Sequence, residues 1–239
     1  MGKAFDLDFM ISAIPEFLYY LPVTLGIAFA AGILALCIGF TVALIRYFNV
    51  PVLKKICIVY VSFARGTPCL VQLLLAYYGI PIFLKSLNAY LGTNISVNGI
   101  PATVFAITAL SLNIGAFMSE TLRSSLLSVD KGQFEACYSV NMTTFQALRR
   151  IVIPQAFTVA IPPLGNTFIS LVKDTSLIFS ISVVEMMAVA KIVGGRSFRF
   201  FEVYIVVALI YWLVCILLER VVVIAEKRFR KYQAGTCND

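Results

Sequence analysis

Four residues with ionic and hydroxyl chemistry, Lys173, Asp174, Thr175 and Ser176, stand together inside an apolar run that reads LVKDTSLIFSISVV. A cation and a carboxylate are costly to place against hydrocarbon, so in such a run they face protein or a water-filled cavity. Two readings follow: a buried structural ion pair, or the lining of a path for a charged or zwitterionic small molecule. The clustering of Asp, Thr and Ser favours the second. Arg65, in FARGTPCLVQ, poses the same question: it faces protein or water, or it snorkels to a nearby aqueous face. Asn113 lies in an uncharged stretch that ends at Glu120, where an amide either bonds helices together or lines a path. Other chemistry is missing. Histidine is absent and no CxxC pair occurs, so metal-ligand spacing and the usual catalytic sets are lacking. Without a GxxxxGK[ST] phosphate loop, this chain is not expected to bind ATP itself.

The longest polar interruption is QFEACYSVNMTTFQALRRIVIP, from Gln133 to Pro154. Its local chemistry predicts two short helices joined by a tight turn. Asp130 can N-cap the first, with Gln133 placed to reach back to it. Asn141 tolerates the left-handed conformation that closes a helix. Thr143 followed by Gln146 forms a second capping box, opening a helix that runs through Arg149 and Arg150 to Pro154. Such a knob, with small residues on its leading helix, suits docking into another protein; an ordinary charged connecting loop is the alternative.

These residues need elements to hold them. The chain has 239 residues, 60% hydrophobic and 13% charged, with a mean hydropathy of +0.92. Soluble domains carry roughly a quarter charged residues, so this is an all-α membrane protein. The net charge of +7 is the cation excess that holds loops on the cytoplasmic side, with no soluble face to bind nucleic acid. A span needs about 20 apolar residues, and five segments qualify: Val23–Ile45, Ile56–Leu84 (interrupted at Gly66-Thr67-Pro68), Gly99–Ser119, Ile151–Val172 and Tyr204–Ile224. Residues 1–20 are read as an outer interfacial segment anchored by Phe17, Tyr19 and Tyr20. Ser180–Arg199 is too interrupted to span and is read as a re-entrant or interfacial helix. Cations after the first span and in the tail place the N-terminus outside and the C-terminus in the cytoplasm. The cations of Ser180–Arg199 run against that arrangement. The cysteines are read as small core residues.

The knob resembles the EAA loop of ABC-transporter permeases through Glu135, Ala136, Ile151 and Pro154, with Cys137 in place of the second alanine and Asn141 in place of the glycine. Two further stretches are similar to the polar amino-acid uptake branch of that family. One is RGTPCLVQ with YYGIP, matching at Arg65, Gly66, Thr67, Pro68 and Gln72. The other is PPLGN through KDTSL, matching at Asn166 and Lys173–Ser176. An acidic residue also stands where Glu120 does, although the Arg-Gly-Gly that usually follows is here Arg123-Ser124-Ser125.

The resemblance implies a type I importer permease (MetI-like) fold in one domain with its core at about 22–225, and a cytoplasmic coupling loop at 128–153. It further implies a multi-pass protein of the bacterial cytoplasmic membrane, a non-catalytic subunit with no cofactor of its own, ATP and Mg being bound by a partner. The implied partners are two ABC ATPase subunits, a second permease copy or paralogue, and an extracytoplasmic amino-acid-binding protein. Gln133, Glu135, Ala136, Cys137, Asn141, Arg149 and Pro154 would couple to the ATPase. Asn113, Glu120, Asn166, Lys173, Asp174, Thr175 and Ser176 would line the path of a polar amino acid, with a basic amino acid or cystine favoured. An ion-gradient-driven secondary transporter is the alternative. It would show inverted repeats with matching breaks in two halves, and only the break at Gly66–Pro68 is visible.

Overall fold

The computed structural model describes residues 6–93 and 99–236, with side chains as far as 229; Lys3, Asn94, Asn98 and Cys237 lie outside the described residues. Every regular element within it is helical. In chain order these are α1 (Leu7–Tyr47), α2 (Leu53–Gly66), α3 (Cys69–Leu91), α4 (Ala102–Leu127), α5 (Gly132–Ser139), α6 (Thr144–Ala147), α7 (Ile153–Asp174), α8 (Met186–Ser197) and α9 (Phe200–Thr236). A π-helical turn at Leu148–Val152 joins α6 to α7, and a 3-10 turn at Thr175–Ile181 extends α7. Helices α1, α3, α4 and most of α9 are long and apolar enough to cross a membrane. The α6–α7 rod and α8, bent by 55° between Ile181 and Met186, make a fifth crossing if the pair is one span. The all-α membrane architecture expected from composition is therefore present.

Three boundaries differ from the sequence reading, each for a local reason. The supposed interfacial segment belongs to α1, which runs unbroken for 41 residues, or about 60 Å at 1.5 Å per residue. Asp6 caps it, accepting from the Phe9 N–H at 3.0 Å. Pro15 and Pro22 sit inside it and remove two ladder donors without ending it. Phe17 is fully buried rather than an interface anchor, whereas Tyr19 is exposed. The second span starts at Cys69, because α2 has only 14 residues and stops at the Thr67-Pro68 break. Proline holds the residue before it extended, and Thr67 has φ −121° and ψ 148°. The stretch expected as the fourth span forms α7 from Ile153 and continues as the 3-10 turn to Ile181.

The bundle is centred on α1 against α4. Gly39 and Gly115 let the two backbones meet: a Cβ on Gly39 would lie 2.9 Å from Met118 Cβ and 3.1 Å from Gly115 O. In a membrane, where lipid competes equally for apolar surface, close packing of this kind drives association. Leu73, Leu110, Leu171 and Ile178 complete the central core. A second core joins the α1 extension to α8 and α9 through Phe17, Met186 and Val203. There the awkward cations of residues 180–199 find partners. Arg196 pairs with Glu16, Arg199 with Asp6, and the Lys191 ammonium lies 3.6 Å from the Phe179 ring centroid. Glu185 is fully buried and N-caps α8, accepting from the Ala188 N–H at 3.0 Å and from the Thr24 hydroxyl at 3.2 Å.

Candidate functional site

Two places in the fold gather the residues singled out above: a cavity at the α2–α3 break, and the knob formed by α5 and α6.

The cavity follows from the break. Where Pro68 interrupts the helix, backbone carbonyls lose their partners, and a membrane interior offers little water to replace them. Gln72 takes over that role: its Nε2 donates to Ala64 O (2.8 Å), Thr67 O (3.1 Å) and Thr67 Oγ1 (2.7 Å). Asn113 on α4 donates to Ala64 O (3.1 Å) and to Gln72 Oε1 (3.2 Å), so it bonds helices as well as facing the cavity. The opening holds about 290 Å³ and its polar lining is Thr67, Asn113, Thr167, Ser170 and Asp174, with Cys69 and Phe117 beside them. Asp174 is the one charged group in this lining. No cation lies within ion-pairing distance of it among the described residues, and neighbouring Lys173 is exposed.

Not all of the expected path residues converge there. Asn113 and Asp174 line the cavity. Asn166 is exposed. Thr175 is fully buried and donates to Val172 O at 2.7 Å, and Ser176 is half-buried in the 3-10 turn. Glu120 is absent from the lining and lies in a cluster of arginines: Arg46, Arg123 at 3.0 Å and Arg65 at 3.8 Å. The Arg65 guanidinium also lies 5.5 Å from the centroid of Phe117, which places it between the cavity and that cluster. Sequence reasoning missed Thr167 and Ser170. With Asp174 they are spaced i, i+3 and i+7, one face of α7. That period was legible in the chain.

The knob forms much as its sequence dictates, with two differences. Asp130 Oδ1 accepts from the Gly132 N–H at 2.6 Å, but α5 begins one residue later than expected, with Lys131 at its N-cap. Gln133 does not reach back; its Oε1 accepts from Gln155 Nε2 at 3.3 Å and ties α5 to the start of α7. Helix α5 closes in a Schellman motif, with the Met142 N–H donating to Cys137 O (3.0 Å) and the Asn141 N–H to Tyr138 O (2.9 Å). Asn141 has φ +61° and fills the position that glycine favours. The Thr143–Gln146 capping box is complete, at 2.9 Å and 3.3 Å. Ile153 then donates five residues back to Leu148 O, a widened turn just before Pro154, which stands in the first turn of α7.

Glu135, Ala136, Asn141 and Arg149 are exposed, and so are Tyr138, Val140 (70%) and Phe145 (68%). Cys137 is buried, so it packs the knob from within rather than presenting a small outer side chain. Phe134, Leu148 and Val152 seat the knob on Leu44 and Tyr47 of α1 and Leu126 of α4. A platform whose outer face combines apolar side chains with charges of both signs is thus joined directly to α1, α4 and α7.

Comparison with known proteins places this geometry. The profile of the family described as "Binding-protein-dependent transport system inner membrane component" matches residues 35–231. The chain is 42% identical over 227 residues to the "Probable amino-acid ABC transporter permease protein PatM" of Vibrio harveyi, covering 95% of this chain and 97% of that one. It is 40% identical over 233 residues to the "L-cystine transport system permease protein TcyL" of Bacillus subtilis, covering 98% and 95%. Among solved structures, a chain from the "Crystal structure of an amino acid ABC transporter with histidines" superposes with a TM-score of 0.80 at 32% identity, covering 95% of this chain and all of that one. With the matched span reaching from α1 to α9, the chain belongs to the family of binding-protein-dependent inner-membrane transport components, the permeases of ABC importers.

Proposed function

We propose that this chain is the translocation subunit of an ATP-driven importer of polar amino acids, with cystine or a basic amino acid as its cargo. The observation that carries the reading is the cavity at the α2–α3 break, whose polar lining contains a single carboxylate, Asp174, and no cation. Every free amino acid carries an α-ammonium group, and a carboxylate beside hydroxyl and amide groups meets it with charge-assisted hydrogen bonds. Cystine presents two such groups, and a basic amino acid adds a second cation. The naming of a 40%-identical relative for L-cystine transport supports the first of these.

Energy enters through the knob. With no phosphate loop of its own, the chain is the non-catalytic subunit, and ATP with Mg is held by a partner ATPase. The exposed Glu135, Ala136 and Arg149, with the rim of Tyr138 and Phe145, dock into that partner, on the cytoplasmic side of a bacterial inner membrane. Gln133, Asn141 and Pro154 hold the knob's shape and direct it into α7, which carries Asp174 at its other end. Two ATPases and a second permease, identical or related, complete the transporter, and an extracytoplasmic binding protein delivers the cargo. Binding at either face shifts the helices only insofar as it discriminates between their two arrangements.

The test is the assembled transporter in proteoliposomes, with uptake and ATP hydrolysis measured for cystine, arginine, glutamine and glutamate. Stimulation by cystine or arginine and none by glutamate is the expected pattern. Preference for glutamate would remove Asp174 as the recognising group.

A further inference from the structure

A second polar cavity, sharing no lining residue with the first, opens at the knob end of the bundle. It holds about 200 Å³ between the end of α1, the α1–α2 connection, α2 and α4, and is lined by Arg46, Tyr47, Asn49, Lys54 and Arg123 among others. The only carboxylate paired with these cations among the described residues is Glu120, which Arg46 and Arg123 share with Arg65 at 3.8 Å. Three arginines therefore converge on one acid, and Lys54 adds a fourth cation to the pocket wall. Lys54 is held in place by a 2.6 Å hydrogen bond from its ammonium to Asn49 Oδ1. Asn49 itself adopts φ +55°, so the side chain that orients Lys54 rises from a turn of unusual conformation. Such a pocket attracts an anion.

The same helix offers a neighbouring surface of opposite character. One step round α2 from Lys54 and Ile58, a shallow groove of about 510 Å³ runs along Ile56, Val59, Tyr60 and Phe63, with Lys55 at its knob end. Tyr60 turns its hydroxyl inward onto Leu112 O, leaving its ring toward the groove. Val59 is 68% exposed and Phe63 52%. Helix α2 is too short to span a membrane. Its N-terminal end lies beside Tyr47, which, like the knob residue Phe134, packs against the cluster of Leu126, Leu148 and Val152. The basic pocket is thus at the knob end, and the apolar groove extends from it along the bundle.

We propose that this pair of surfaces binds an anionic phospholipid, its phosphate between Arg46, Lys54 and Arg123 and an acyl chain along Ile56, Val59 and Phe63. A basic pocket between membrane helices, continuous with apolar surface, matches the two chemistries of such a lipid in the order in which the lipid carries them. A free phosphate would use the pocket and ignore the groove.

Native mass spectrometry of the purified full-chain transporter, titrated with dioleoyl phosphatidylglycerol and separately with dioleoyl phosphatidylcholine, tests this. Retention of phosphatidylglycerol in preference to phosphatidylcholine is expected. Lys54→Gln should lower that retention by about fivefold, the scale of one cation at an anionic surface. Lys85→Gln, on α3, should leave it unchanged, and Val59→Ser, on the exposed groove, should lower it without touching any charge. Equal retention of the two lipids, or indifference to both Lys54→Gln and Val59→Ser, would overturn the proposal. Displacement of the lipid by inorganic phosphate at comparable concentration would also overturn it, showing a free-anion pocket instead.

Discussion

At the scale of single residues, the difference between Lys173 and Asp174 is a matter of helical rotation. Adjacent positions point about 100° apart, so one is exposed while the other reaches the cavity with Thr167 and Ser170. Sequence alone made the KDTS cluster conspicuous because charge in an apolar run is rare. It did not say which member faces inward, because α7 has neighbours on more than one side. Thr175 illustrates the same limit: its hydroxyl is spent on Val172 O in a buried turn. Asp174→Asn keeps the shape and removes the charge. A charge-assisted hydrogen bond contributes about 1.5–3 kcal/mol, so kcat/KM for uptake should fall by roughly 10- to 150-fold, with unchanged assembly on size-exclusion chromatography. Unchanged uptake kinetics would release Asp174 from recognition. Gln72→Ala should act differently, lowering thermal stability in detergent, because the Ala64 and Thr67 groups at the helix break lose their shared donor.

At the scale of elements, the knob was the most legible part of the chain. Its turn and caps depend on local chemistry, and the left-handed Asn141 and the Thr143–Gln146 box both stand where the residue types put them. The misreadings came where distant parts of the chain decide. Phe17 looked like an interface anchor until α8 and α9 covered it. Cys137, grouped with the coupling residues by resemblance, is buried beneath the knob, as the reading of the cysteines as core residues had it. Cys37 was read as core and is exposed. Glu135→Lys reverses charge on an exposed side chain and should leave the protein inserted while abolishing co-purification of the ATPase; retained association would sink the docking assignment. The α1–α4 contact gives a separate test. Gly39→Ala forces a methyl to within 2.9 Å of Met118 Cβ, and overpacking of this kind costs about 1–3 kcal/mol. A clear drop in melting temperature is expected. Gly26→Ala, with no atom within 4 Å of the added carbon, should be close to neutral.

At the scale of the whole molecule, one helix links the knob to the cavity. The knob rests on α1 and α4 and passes directly into α7. Helix α7 carries the cavity carboxylate, and beyond it the 55° bend to α8 is fixed by buried Glu185. Composition revealed the membrane and the helices. The sequence reading counted five crossings, and the structure has four helices that qualify alone and a fifth if the bent α7–α8 pair is one span; the start of the second span moved to Cys69 because of the proline break after α2. The measurement that bears most directly on this account is amino-acid uptake by proteoliposomes containing the chain with its co-purified ATPase, with and without ATP on the knob side. Accumulation that requires both ATP and the binding protein, and that disappears in Glu135→Lys, is the predicted result. Accumulation by the chain alone, driven by an ion gradient without ATP, would contradict it.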